Sequence, residues 1–315
     1  MRITFISAVW LLLLTLSAAA AEGFVDGTGR EIAYGQDCQR IVSLMPNVTE
    51  MVAFLGYGDR LVGKSSFCNY PDSILAVDDI GGQIDASLEK IVSLQPDIVL
   101  AYQGNSLELV DQLRQLGIQV CAFREANTVE QIGEQLRILD TIIGTPGRSD
   151  KALAPEFAGW LVRESAGREY HALSGNPSCF FGYPGELVYT CGSTSFIDDV
   201  MQRCGLANAV SLQDRWPAVS AEFIISSDPD WILTTTSCTE AEDPAEVRAE
   251  MLAELRSDPV FRELRAVKQG QLIVVNSDHL LRPGPRILLA IEEIRDQLSA
   301  PAVGAVSNHG AASAR

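Results

Sequence analysis

From Arg40 onward the chain alternates short, continuously apolar runs with stretches whose apolar residues recur at helical spacing. The first kind predicts strands and the second predicts helices. Arg40–Met45 reads as a strand, Asn47–Leu55 as a helix closed by Gly56, and Leu61–Lys64 as a short strand. Ser87–Leu94 reads as a short helix stopped by Pro96, and Asp97–Ala101 as a buried strand. Ser106–Leu116 is a helix closed by Gly117, Ile118–Phe123 a strand and Thr128–Ile143 a helix. Ser149–Ser165 reads as a long helix with Pro155 inside it. The alternation then restarts, with strands at Cys179–Tyr183, Trp231–Thr235 and Leu272–Asn276 and helices at Ser195–Arg203, Ser220–Ser226, Pro244–Arg256 and Pro285–Leu298. Strands and helices in this order predict an α/β fold with largely parallel sheets.

The two halves carry an internal repeat. Ser87–Leu100 (SLEKIVSLQPDIVL) aligns with Ser220–Leu233 (SAEFIISSDPDWIL) at an offset of 133, and seven of fourteen positions are identical. In both copies a Ser caps a short helix, a Glu sits in its positive first turn, and Pro-Asp ends it and opens a buried strand. Two related lobes follow.

The ends of the chain have another character. Residues 1–21 (MRITFISAVWLLLLTLSAAAA) place one cation, Arg2, before a short apolar run and a small-residue stretch. This is the pattern of a secretory leader cleaved near Ala20 or Ala21, and the apolar run is short for a membrane span. No Cys stands at the cleavage point, which argues against a lipid anchor. The expected organisation is a leader at 1–21, one lobe at 22–145, a connecting helix at 146–170, a second lobe at 171–299 and a disordered tail at 300–315. The tail, PAVGAVSNHGAASAR, lacks apolar periodicity.

Composition narrows the function. The chain has 315 residues, 47% of them hydrophobic, and a net charge of −17. An acidic surface repels phosphate backbones, so nucleic acid is not an expected partner, whereas a basic patch on a protein is. Export permits disulfides, but the cysteine count of seven is odd and no C-x-x-C occurs. Three histidines (His171, His279, His309) leave little for a His-rich metal site.

Two motifs reduce to ordinary structure. Gly58–Ser65 spells G-x-x-x-x-G-K-S, but it follows a helix and runs into a strand, the reverse of a phosphate loop. Gly192–Ser195 (GSTS) lacks the G-x-S-x-G elbow and reads as a turn and N-cap. Other residues look functional. Phe67, Tyr70, Tyr102, Tyr189 and Trp216 sit at the C-terminal ends of predicted strands or in the loops after them, where open α/β sheets bind ligands. Such faces suit a flat, partly apolar ligand. Asp278 and Arg282 are four apart at a loop–helix junction and offer an acceptor and a donor fork to one pocket. Glu89 and Glu222, at equivalent repeat positions, could grip two equivalent basic pockets on a two-fold partner. No nucleophile–base pair is evident, so no catalysis is expected.

These segments carry a resemblance. RIVSLMPNVTEMVAFLG, VGKSSFCNYP, SLEKIVSLQPDIVLA, WPAVSAE and SDHLLRPGPRILLA together resemble the periplasmic substrate-binding proteins of ABC importers that carry vitamin B12, haem and ferric siderophores. The resemblance spans nearly all of residues 38–298. It implies two Rossmann-like lobes with central parallel sheets, joined by one rigid helix, the class III arrangement. It also implies a soluble periplasmic monomer with no cofactor, holding its cargo between the lobes and docking on a permease dimer in the inner membrane. WPAVSAE and D-x-x-x-R followed by P-R are nearest the corrinoid carriers, so the implied cargo is cobalamin or a related corrinoid, with haem or a ferric siderophore as the alternative. Ligand contact then falls on Phe67, Tyr70, Tyr102, Tyr189, Trp216, Asp278 and Arg282, and permease docking on Glu89 and Glu222. Phe67 and Tyr102 stand where the corrinoid carriers have Tyr and Trp, and Gln83 falls on another aromatic wall position. The resemblance also implies a lower-lobe disulfide through Cys204, but the partner position is Arg295.

Overall fold

The computed structural model describes residues 23–144, 159, 175–185, 187–237 and 243–299. The leader (1–21), the tail (300–315) and, apart from Gly159, the connecting helix expected over 146–170 lie outside the described residues.

The first lobe opens with an antiparallel hairpin, β1 (Gly23–Val25) and β2 (Glu31–Ala33). Its central sheet contains β3 (Ile41–Ser43), β4 (Leu61–Lys64), β5 (Ile98–Tyr102) and β6 (Val120–Phe123), ordered β4-β3-β5-β6 and parallel throughout. Helices α1 (Pro46–Phe54), α2 (Leu88–Ser93), α3 (Leu107–Gln115) and α4 (Val129–Ile143) connect and cover it. Every residue of β5 is buried, as expected for a strand covered on both faces.

The second lobe holds β7 (Ser178–Phe181), β9 (Ala207–Asn208), β11 (Trp231–Thr236) and β12 (Leu272–Asn276), ordered β12-β11-β7-β9 and again parallel. A two-stranded ribbon pairs β8 (Val188–Tyr189) with β10 (Ala218–Val219). Helices α5 (Phe196–Arg203), α6 (Ala221–Ser227), α7 (Pro244–Ser257), α8 (Arg265–Gln269), α9 (Ser277–Leu280) and α10 (Ile287–Ser299) complete the lobe.

The repeat extends to topology. Matching β4, β3, β5 and β6 to β9, β7, β11 and β12 gives one strand order in both lobes. The details agree too. Ser87 Oγ accepts from Lys90 N and Ser220 Oγ from Phe223 N, both at 3.3 Å. Gln95 and Asp228, 133 apart, both adopt positive φ ahead of the Pro-Asp pair. Asp97 then accepts the backbone N–H groups of Gln39 and Arg40, each at 2.8 Å, at the entry to β3. Asp230 does the same for Ser178 at the start of β7, at 2.9 Å. Each Pro-Asp carboxylate thus fastens the strand after its helix to the sheet's first strand.

The motifs read as ordinary structure are so placed. Gly58–Arg60 is a 3-10 turn, β4 follows, and Ser65 extends the strand edge through Ser65 N to Ser43 O at 3.1 Å. Ser195 caps α5 by accepting from Asp198 N at 3.2 Å.

One apolar cluster crosses from lobe to lobe. Leu136 and Leu139 of α4 belong to the same buried group as Val200 and Met201 of α5 and Ile291 of α10. Polar ties reinforce it: Val129 N donates to Asp199 Oδ2 at 2.8 Å, and Arg203 pairs with both Asp199 and Glu130. Separate clusters fill the remaining face of each sheet.

The N-terminal hairpin is held by Asp26, whose carboxylate is fully buried. It accepts Thr28 N (2.9 Å), Thr28 Oγ1 (2.7 Å), Arg30 N (3.0 Å) and Ala122 N (3.1 Å), and pairs with Arg114 at 2.8 Å. Burial pushes this carboxyl up, but the hydrogen bonds from Thr28, Arg30 and Ala122 outweigh it and hold it below its ordinary 3.8. A depressed folded-state value stabilises above the unfolded value and is lost as pH falls through the folded one. The Asp26→Asn variant is therefore expected to lose about 1–2 kcal/mol at pH 7 and to show a shallower fall in stability below about pH 4. Urea midpoints measured from pH 3 to 7 test both; identical acid profiles for the two proteins would rule the assignment out.

Among the described residues no helix is long and apolar enough to cross a membrane, and no cluster of His, Cys, Asp and Glu is placed to hold a metal ion. Cys38, Cys68, Cys121, Cys179 and Cys191 are buried free thiols. Cys204 Sγ lies 3.9 Å from Ile291 O, and the buried Arg295 donates to Arg203 O at 2.9 Å. Cys238 lies outside the described residues.

Candidate functional site

The segments that leave the C-terminal ends of the strands meet between the lobes. Two polar ties join them.

The first tie centres on Glu50 of α1. Its carboxylate is buried and held by both arms of Arg286, from Nε at 2.9 Å and Nη2 at 2.6 Å. This two-point pairing is the strongest geometry available to an arginine and a carboxylate. Arg282 approaches the same Glu50 Oε1 at 3.4 Å. Burial pushes the Glu50 carboxyl up, against the pull of Arg286 and Arg282. The Arg286 guanidinium also lies 4.5 Å from the centre of the Tyr70 ring, within cation–π range. Tyr70 keeps its other surface open, being 44% exposed.

Beside this pair lies a ring of three side chains. Asp278 and Arg282 meet at 2.7 Å, Arg282 Nη1 donates to Asn69 Oδ1 at 2.7 Å, and Asn69 Nδ2 donates to Asp278 Oδ2 at 2.7 Å. Asp278 stands in α9, which Asn276 caps by accepting from Asp278 N at 2.8 Å. Arg282 Nη2 also reaches Phe67 O at 3.4 Å. The Phe67 ring lies against the 81–85 loop, where a Cβ on Gly82 would stand 3.5 Å from Phe67 Cε2. Phe67 is 55% exposed, and Ile84 in that loop is 74% exposed. Asn105 fastens the loop to β5, donating to Gln83 O at 2.7 Å and accepting from Tyr102 N at 2.9 Å.

The second tie joins Arg215 to Glu125 (2.6 Å) and Asn127 (2.5 Å). Trp216, next to Arg215, packs on Phe181 and Phe196 with ring centres 6.4 Å away in both cases. It leaves an exposed edge beside the ribbon that carries Tyr189 opposite Ala218. Tyr102 stands behind this tie. Only 5% exposed, it accepts from Ala126 N at 2.9 Å through its hydroxyl, and burial pushes that hydroxyl well above its ordinary range.

Of the residues expected from sequence, Phe67, Tyr70, Asp278 and Arg282 come together at the first tie, and Tyr189 and Trp216 share the ribbon region of the second lobe. Tyr102 differs: its side chain lies in the core beneath the surface the others share. Glu89 and Glu222 are exposed on α2 and α6, apart from this region. Sequence reasoning missed Glu50, Asn69, Arg286, Glu125 and Arg215, and also Tyr183, which packs edge-on to Phe181 at 6.1 Å. One signal was available for Glu50: the single charged residue in the helix PNVTEMVAF, in which positions 46–52 are all buried.

Two parallel-sheet lobes thus meet across a surface that is both aromatic and charged. The chain matches the Periplasmic binding protein family over residues 41–279 and belongs to it. It is a substrate-binding protein of the ABC importer type, a class that serves a small-molecule ligand and a permease. It is 28% identical over 275 residues to the vitamin B12-binding protein of Pectobacterium carotovorum, covering 85% of this chain and 91% of that protein. It is 25% identical over 285 residues to an ABC transporter substrate-binding lipoprotein of Bacillus subtilis, YvrC, covering 87% of this chain and 84% of that one. The crystal structure of the periplasmic vitamin B12 binding protein BtuF of Vibrio cholerae superposes with a TM-score of 0.68 at 26% identity, over 83% of this chain and 97% of that one. The haem-binding protein HmuT shares the fold, with a TM-score of 0.70 at 18% identity over 89% of this chain and 90% of that one.

Proposed function

We propose that the protein captures a corrinoid, cobalamin or a close relative, between its two lobes and delivers it to an inner-membrane importer. In this reading it acts in the periplasm as a monomer, after cleavage of the leader at 1–21. Its two lobes are taken as 22–145 and 171–299. The observation that carries the reading is the first tie. Exposed faces of Phe67 and Tyr70 adjoin the Asp278–Arg282–Asn69 ring, so one surface offers aromatic contact to a macrocycle and hydrogen bonds to amide groups at its rim. Trp216 and Tyr189 supply the facing contacts from the second lobe, and Tyr102 supports the wall from within. The vitamin B12-binding relatives add weight. Glu89 and Glu222 dock the loaded protein on arginines of the permease dimer, one from each lobe.

A second reading takes haem or a ferric siderophore as the cargo. Tyr189, 60% exposed, offers a phenol of the kind that ligates haem iron.

Calorimetric titration of the purified mature protein with cyanocobalamin, cobinamide, haem and a ferric hydroxamate separates the two. Saturable one-to-one binding of a corrinoid alone is expected. Tight binding of haem or the hydroxamate, without corrinoid, would overturn the corrinoid assignment and leave the transport role standing.

A further inference from the structure

The matched short helices α2 and α6 share more than their glutamates. In a helix, residues three and four apart lie on one face. From Glu89 that face continues through Val92 and Ser93, and from Glu222 through Ile225 and Ser226. Val92 and Ile225 are 133 apart, the offset of the repeat. Val92 is 38% exposed and Ile225 44% exposed, while their neighbours Ile91 and Ile224 are fully buried. The inward isoleucines anchor each helix in its own lobe's core, Ile91 in the first and Ile224 in the second. Val92 and Ile225 belong to neither cluster. The serines match as well: Ser93 Oγ donates to Lys90 O at 2.7 Å and Ser226 Oγ to Phe223 O at 3.0 Å. Each serine hydroxyl is turned back onto its own helix.

Packing within either lobe does not call for an apolar side chain at these outward positions. A polar residue would serve a solvated helix face better. Yet both lobes carry a β-branched aliphatic there, beside an exposed carboxylate. An exposed ion pair alone contributes little to binding, because water and salt screen it. An apolar residue that seats beside it excludes water and strengthens it, the arrangement of an interface hot spot.

We propose that Val92 and Ile225 are apolar anchors of the docking surface, so that each lobe presents a carboxylate–aliphatic pair to the importer. The partner of this chemistry is a two-fold permease dimer that offers, at each of two equivalent places, a cation beside a shallow apolar pocket. Charge complementarity favours this occupant: the protein carries −17 overall, and a carboxylate flanks each anchor. The inference rests on the reading that Glu89 and Glu222 dock the protein.

The test measures capture of the purified permease–ATPase complex in nanodiscs by the immobilised mature protein. Val92→Ser and Ile225→Ser are each expected to weaken capture about fivefold, and together about twenty-five-fold, because sites on separate lobes act independently. Val92→Ile and Ile225→Val should retain it, and cargo affinity should be unchanged in all four variants. If the serine variants bind the complex like the wild type while Glu89→Arg with Glu222→Arg does not, the anchors are refuted and the docking reading survives. If neither set changes capture, both fail. If the free protein sediments as a dimer that the serine substitutions dissociate, the face is a contact between copies of this chain and the inference is overturned.

Discussion

Glu50→Ala is expected to lower the stability of the mature protein by about 3–5 kcal/mol, the usual consequence of leaving one member of a buried ion pair without its partner. Arg286 would keep its place under Tyr70 with only Asp278, 3.8 Å away, to balance its charge. The effect should exceed that of any exposed pair, such as Arg262–Glu263, because screening leaves those worth about 0–1 kcal/mol. Replacing both members with apolar residues of similar size, Glu50→Leu with Arg286→Met, is expected to recover most of the loss. Guanidinium unfolding of the three proteins decides the matter. If the double variant is as unstable as Glu50→Ala, the loss comes from altered packing rather than from an unpaired charge. If Glu50→Ala costs under about 1 kcal/mol, the pair is not the structural pin its geometry indicates. The pair joins α1 of the first lobe to the segment before α10 of the second, so its removal should also loosen the lobes. Faster amide exchange in α1 would report this.

If Glu89 and Glu222 dock the protein as proposed, Glu89→Arg with Glu222→Arg is expected to abolish cargo uptake in cells while leaving cargo affinity unchanged. Both side chains are solvent-exposed and stand apart from the surface between the lobes. Glu222 is held below the usual carboxylate range by its own backbone N–H and by the Ser220 hydroxyl, which keeps it charged at neutral pH. Placing a cation where the partner presents one turns attraction into repulsion at two places at once, and like-charge contacts at an interface cost several kcal/mol. A single reversal should leave measurable uptake, because the other lobe still engages. Radiolabelled cobalamin uptake, paired with calorimetry on the purified variant, tests this. Normal uptake by the double variant would dismiss the docking role.

Much of the fold was legible because its elements are locally encoded. The α3 and α4 segments have clear apolar stripes and side-chain N-caps, and their observed bounds, Leu107–Gln115 and Val129–Ile143, lie within a residue of the expected ends. The strands that escaped notice are those fixed by distant partners. β8, β9 and β10 have two residues each, too short for periodicity, and exist because the chain returns to pair them. The hairpin β1–β2 is held by a buried Asp26 that binds its own turn through Thr28 and Arg30 but also reaches the distant Arg114 and Ala122. The same divide runs through the site. Asp278 and Arg282 were legible as a pair because a helical turn brings positions four apart together. Glu50 and Arg286 are separated by 236 positions, and only the packing of two lobes makes them neighbours. Tyr102 stood at a strand end in the sequence, which suggested ligand contact. Side-chain alternation along β5 instead turns it into the core, where Ala126 N satisfies its hydroxyl.

The duplicated α2 and α6 faces bear on how the protein meets its importer in time. The repeat leaves the two faces nearly interchangeable: Glu, an aliphatic residue and Ser in the same order, differing by the extra methylene of Ile225 over Val92. A receptor with true two-fold symmetry would accept such a ligand in either of two poses half a turn apart. Every approach would then have two productive orientations, and the loaded protein could engage whichever lobe arrived first. Telling the poses apart would fall to neighbouring positions where the helices differ, Leu88 against Ala221 and Lys90 against Phe223.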